Sequence, residues 1–163
     1  MTLRAALAAT ALAATQAVGA PPRQRGFDIA AFFTGRTHAD NDLKIVFHRT
    51  SKLVVDSVGR MEGTQFVQVD TVHEADKPVR MRKWVTHEVA PGHYAGTLSD
   101  AVGPVDIVVR GDTATIRYTM KGGLDVFEQL RLQPDGRSLS NHVDARKFGL
   151  RFATVEGTIR KLD

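Results

Sequence analysis

From Leu43 to the end of the chain, apolar and polar residues fall into runs of about 7 to 12 residues separated by turn chemistry, the spacing of an all-β sandwich or barrel. The breaks are "DSVGRMEG", "EADKP", "APGH", "DAVGP", "RGD", "KGG", "QPDGRS" and "KFG". They delimit about nine or ten strands, most joined by tight connections of Gly, Asp, Asn or Pro, which favours an antiparallel up-and-down meander over crossovers. So many strands in a domain this small tend to close on themselves and abolish exposed edges, so the pattern predicts a single up-and-down β-barrel. Ahead of it, "FDIAAFFTG" predicts one or two helical turns, with Asp28 as N-cap, Phe32 and Phe33 as anchors and Gly35 as stop.

Alternation of side chains along each strand assigns faces. In "TATIRYTMK", Ala114, Ile116, Tyr118 and Met120 share the apolar face, which directs Tyr118 inward. In "LDVFEQLRL", Leu124, Val126, Glu128, Leu130 and Leu132 share one face, so Glu128 interrupts an apolar stripe. A buried carboxylate is costly unless paired or protonated. The competing reading is a strand solvated on both faces or shifted by a bulge. In "VRMRKWVTHEV", the only tryptophan, Trp84, shares a face with Arg80, Arg82, Thr86 and Glu88. Burying the indole carries Arg82 inward as the expected mate of Glu128. The alternative is a core tryptophan whose neighbouring arginines snorkel to solvent. In "HYAGTLSD", Tyr94, Gly96, Leu98 and Asp100 lie together; Gly96 leaves room for a ring against the backbone, and Asp100 sits at a turn, where capping its own loop competes with a site role.

The remaining sequence bounds the setting. With 163 residues the chain suits one domain with a real core. Residues 1–20 carry a lone cation, Arg4, followed by an uncharged Ala- and Leu-rich run and small residues up to Ala20, the layout of a secretory signal peptide too short and weakly apolar to span a bilayer. "PPRQRG" then reads as a linker into a barrel domain occupying 21–163, and the expected destination is the periplasm. Without Arg4 the formal charge falls from +4 to +3, with both signs interleaved and no stacked aromatic platform, so nucleic acid is not an expected partner. The chain has no cysteine, which excludes disulfides, thiol catalysis, Cys-ligated zinc and a lipid-bearing cysteine.

No nucleophile elbow, phosphate loop or dinucleotide fingerprint is present. The six histidines form no His-x-His or His-x-x-x-His set on one face, so neither a metal nor another cofactor is expected. Arg82, Tyr118 and Glu128 are a set able to do acid–base work, and equally able to form the polar end of a ligand pocket.

The order of "FFTGRT", a charged strand ending at Trp84, "GHYAGTLSDAVG", "IRYTM" and "DARKFGLRF" resembles the bacterial family of domain of unknown function 3833, from about Phe32 to Lys161. The matching positions are Phe33, Gly35, Arg82, Trp84, Tyr94, Gly96, Asp100, Gly103, Tyr118, Lys147 and Phe148-Gly149. The resemblance implies a lipocalin-like barrel in an exported or lipid-anchored protein and assigns no activity. Members resemble lipoproteins with a lipid-bearing cysteine, which this chain lacks, and tend toward an acidic pair followed by Trp where it has Glu128-Gln129-Leu130. The expectation is an exported monomeric barrel, peripheral to the envelope, that binds a small, mainly apolar or amphiphilic ligand through Arg82, Trp84, Tyr94, Asp100, Tyr118 and Glu128. An isomerase or cyclase acting on a lipid-like substrate, and a structural envelope protein with a filled barrel, are the alternatives.

Overall fold

Ten antiparallel strands close into one barrel in which every strand pairs with its sequence neighbours and the first pairs with the last, so the order is up-and-down throughout. The computed structural model describes residues 27–163; the signal-peptide reading of 1–20 and the linker at 21–26 lie outside the described residues. The strands are β1 (Gly35–Ile45), β2 (Ser51–Glu62), β3 (Gln65–Glu74), β4 (Arg80–Ala90), β5 (His93–Leu98), β6 (Ala101–Arg110), β7 (Thr113–Met120), β8 (Leu124–Leu132), β9 (Ser138–Lys147) and β10 (Leu150–Lys161), preceded by the helical turn α1 (Ile29–Phe33).

The helix forms where its signals place it. The Asp28 side chain accepts a hydrogen bond from the Ala31 N–H at 2.9 Å, and Ile29, Phe32 and Phe33 are buried. Lys161, at the end of β10, donates to the Phe32 carbonyl at 2.9 Å and also reaches the Thr34 carbonyl, so a cation meets the carbonyls at the helix end. Phe27 N–H donates to Gly111 O in the β6–β7 turn at 2.8 Å. The helix therefore closes one end of the barrel.

Three strand boundaries differ from the sequence reading. The barrel starts at Gly35 rather than near Leu43, because β1 turns Thr37, Ala39 and Asn41 inward and this small, polar set leaves no apolar alternation to detect. The break at "DSVGRMEG" falls only at its end: β2 runs through it to Glu62 before the turn at 63–64, and Gly59 is there because a Cβ would stand 2.2 Å from the Phe33 carbonyl oxygen of the helix. "DAVGP" likewise lies mostly inside β6, whose pairing with β7 shifts between Val102 and Asp106. At Gly96 a Cβ would stand 2.0 Å from the Val85 carbonyl oxygen and 2.7 Å from the Thr86 Cα on β4, so the close neighbour there is the β4 backbone.

Candidate functional site

A row of polar side chains crosses the interior wall of β2, β3 and β4, because Ser57 is the register partner of Asp70 and Asp70 is the register partner of Arg82. Asp70 is 1 % exposed and accepts four hydrogen bonds: from Ser57 Oγ at 2.7 Å, Gln68 Nε2 at 2.7 Å, Arg82 Nε at 2.8 Å and Trp84 Nε1 at 2.8 Å. A buried carboxylate is tolerated in this form, with its lone pairs filled and a cation beside it. Burial alone disfavours the charge on Arg82, and the nearby Asp70, Tyr118 and Glu128 more than offset it, so the guanidinium is held charged. It also lies 5.4 Å from the centroid of the Trp84 ring.

Trp84 stands edge-on to Tyr118, with ring centroids 5.6 Å apart and planes at 88°, which links β4 to β7 across the interior. Burial and the Glu128 carboxyl push the Tyr118 hydroxyl well above the ordinary phenol range, while the neighbouring Arg82 pulls it back in part. Glu128 points inward from β8, as the stripe it interrupts requires, and the surface it retains faces the cavity. Among the described residues no side chain is hydrogen-bonded to its carboxyl and no cation lies in ion-pair contact with it. Burial pushes its pKa up to about 7; Arg82 lowers it and Asp70 raises it further.

This corrects the expected pairing. Arg82 is bonded to Asp70, not to Glu128, and the residue that satisfies both the arginine and the indole N–H lies on β3, whose alternation of Phe66, Gln68, Asp70 and Val72 also places an acid in an inward stripe. Asp100 is likewise outside the site: at the β5–β6 turn it accepts from Arg80 at 2.8 Å and from Ser99 at 3.1 Å. Tyr94 does reach the cavity, from β5.

The interior space has two parts that share Asn41, Val55, Arg82, Glu128 and Asn141. The inner part, about 90 Å³, lies against α1 and is walled by Ile29, Phe33, Phe66, Ile107, Ile116 and Leu130. The outer part, about 250 Å³, is walled by Leu43, Leu53, Met120, Leu124, Val143 and Val155 and reaches Lys77, Arg80 and Phe152 at the opposite end. Between them Asn141 Nδ2 donates to Asn41 Oδ1 at 3.1 Å, and Asn141 Oδ1 is a buried acceptor without a partner among the described residues. Two apolar chambers thus meet at a polar layer with two unused groups, the Glu128 carboxyl and Asn141 Oδ1.

The histidines contribute nothing to this layer. His38 bonds Asp56 at 2.7 Å, which raises its pKa, and His93 bonds Asp106 at 2.6 Å, each contact made with a partly exposed carboxylate. Among the described residues no group of three or more His, Asp or Glu side chains is placed to hold a metal ion.

A closed antiparallel barrel with a polar layer across a divided apolar interior is the class of protein this architecture defines. The chain belongs to the family described as protein of unknown function (DUF3833), whose model matches residues 6–161. Its barrel is similar to the crystal structure of Rv2717c from M. tuberculosis, at 12% identity and a TM-score of 0.59 over 82% of this chain and 94% of that one. It is also similar to a protein of unknown function from the DUF3598 family of Nostoc punctiforme, at 8% identity and a TM-score of 0.57, over 89% of this chain and about half (53%) of the other. At these identities the likeness is one of fold. No curated protein matches the chain.

Proposed function

We propose that the barrel binds a small, mainly apolar amphiphile, such as a medium-chain fatty acid, whose polar head sits at the layer formed by Glu128, Asn141 and Arg82 and whose tail lies along the outer chamber. The observation that carries this reading is the unpartnered Glu128 carboxyl facing a cavity that reaches the rim. Native interiors rarely leave polar groups unused, and a ligand hydroxyl or carboxyl supplies what Glu128 and Asn141 Oδ1 lack. The outer chamber, about 250 Å³, approaches the lower end of small-ligand sites, roughly 300 Å³, and suits a short chain or compact ring rather than a diacyl lipid. The same space argues against a barrel that is simply filled. The N-terminal run of residues 1–20 supports export, so the ligand is one met in the periplasm.

Titration with decanoate, read through Trp84 as the chain's only tryptophan, tests the reading. A saturable shift in emission is the expected result, and an unchanged spectrum up to the solubility of the acid would overturn it. A second reading is favoured by one feature, a carboxyl poised near neutrality beside a tyrosine hydroxyl, the equipment of an isomerase or cyclase. Incubation with extracted bacterial lipids separates the two, because a binder returns the lipid unchanged.

A further inference from the structure

At the end of the barrel opposite α1, three adjacent strand connections form a continuous half-rim: the β1–β2 loop, residues 46–50, the β9–β10 turn at Phe148-Gly149, and the β7–β8 turn, residues 121–123. Their sequences are "VFHRT", "FG" flanked by Lys147 and Leu150, and "KGG". This half-rim contains no acid. The other two connections at this end carry Asp76 and Asp100.

Phe47 and Phe148 stand at its tips with relative exposures of 102% and 91%, joined by exposed Val46, Leu150 and Phe152. Val46 N–H donates to Phe152 O at 3.0 Å, which sets the β1–β2 loop beside β10. Large apolar side chains gathered on a surface mark an interaction site rather than a solvated face. Both phenylalanines hold left-handed backbone, at φ 65° for Phe47 and 52° for Phe148, a conformation that bulky residues adopt at a cost. The two-residue turn at Phe148-Gly149, with both φ positive, is the geometry in which Asn-Gly is favoured, so an aromatic occupies a position where Asn would be more stable.

The charges beside these rings are unbalanced. Arg49, Lys121 and Lys147 have no carboxylate partner among the described residues, whereas nearby Lys52, Arg146 and Arg151 are each paired with an aspartate. The turns at the helix-covered end, residues 63–64, 91–92, 111–112 and 133–137, hold no aromatic residue. Aromatic tips flanked by free cations match a surface with an apolar interior and an anionic face, which is an anionic lipid bilayer.

We propose that this half-rim docks the barrel on anionic membrane, with Phe47 and Phe148 inserted at the headgroup boundary and Arg49, Lys121 and Lys147 on lipid phosphates. Phe152, which belongs both to this patch and to the wall of the outer chamber, places the mouth against the bilayer, so an apolar ligand can pass between the two without crossing water. The docking itself does not depend on any ligand.

Co-sedimentation with phosphatidylglycerol vesicles, compared with phosphatidylcholine vesicles, tests it. Every variant carries the same N-terminal segment as the wild type, so differences report the rim alone. The wild type is expected to bind phosphatidylglycerol and to release it as salt is raised to about 0.5 M. Phe47→Ser with Phe148→Asn should weaken this binding on the order of tenfold, with a melting temperature held or raised by the Asn substitution. Arg49→Gln, Lys121→Gln and Lys147→Gln together should remove the preference for phosphatidylglycerol. Equal binding by all forms, or no binding by the wild type, would overturn the proposal. So would a concentration-dependent dimer, abolished by the Phe variants, that forms without vesicles.

Discussion

Asp70 accepts the indole N–H of Trp84 at 2.8 Å, so the chain's only tryptophan is held by a fully buried carboxylate on the neighbouring strand. The same carboxylate oxygen takes the Arg82 Nε at 2.8 Å, and the other takes Ser57 and Gln68. One acid therefore organises the inner wall of three strands, and its removal differs in kind from the removal of any one donor.

Asp70→Ala strands four donors, one of them a charged guanidinium, and should cost about 3–5 kcal/mol in urea unfolding. Arg82→Met leaves Asp70 with three donors and should cost less. Combining Arg82→Met with Asp70→Leu should recover much of the Asp70→Ala loss, and the coupling between positions 70 and 82 should exceed that between 82 and 128. Equal, additive losses at Asp70 and Arg82 would contradict the shared network.

The pH dependence follows from Glu128. Its folded pKa, about 7, lies above the ordinary 4.5, so between these values the folded state holds a proton that the unfolded state has released. Stability must fall as pH rises through that window and level off above about 7, by at most about 3 kcal/mol. Glu128→Gln keeps the shape without the charge. The difference between wild-type and variant unfolding free energies, measured from pH 4.5 to 8, should show this slope, and a flat difference would mean that Glu128 is solvated.

Ligand affinity should carry the same signature. The charge of Arg82 is already balanced by Asp70, so a carboxylate head is favoured only while Glu128 is protonated. Decanoate affinity should then drop up to about tenfold per pH unit above about 7, whereas decanol should bind with little pH dependence. In Glu128→Gln the two ligands should become alike in this respect.

Filling the outer chamber tests where the tail lies. Ala145 and Ala153 are buried in its wall, and Ala145→Leu with Ala153→Leu should abolish the Trp84 response to decanoate while altering stability by no more than about 1–3 kcal/mol. Undiminished binding would move the tail to the inner chamber.

Gly59→Ala examines the helical cover. The added Cβ would meet the Phe33 carbonyl oxygen at 2.2 Å and the Phe66 ring at 2.6 Å; the ring can turn aside, but the carbonyl yields only if the end of α1 lifts from the barrel. A loss of about 1–3 kcal/mol is expected, with faster hydrogen exchange at the Phe32 and Thr34 amides, which now donate to Asp28 and Ala30. An unchanged exchange pattern would show that the helix does not rest on Gly59.

Much of the architecture is legible in the chain because it depends on local chemistry. Turn residues at short intervals set the meander, Asp28 and the two phenylalanines set the helical turn, and alternation alone turns Arg82, Trp84, Tyr118 and Glu128 toward one interior. Alternation fails where the inward residues are small or polar, as in β1, and it cannot tell a glycine inside a strand from one in a turn, as at Gly59. Pairing was decided by tertiary structure. Trp84 and Arg82 each needed an acceptor, Glu128 and Asp70 were both inward acids, and only the register of β3 against β4 selects Asp70, the direct cross-strand neighbour of Arg82, over a carboxyl four strands further around the barrel. Closure of the barrel then buries Glu128 in the interior with no cation in contact, and that burial, rather than its place in the stripe, raises its pKa.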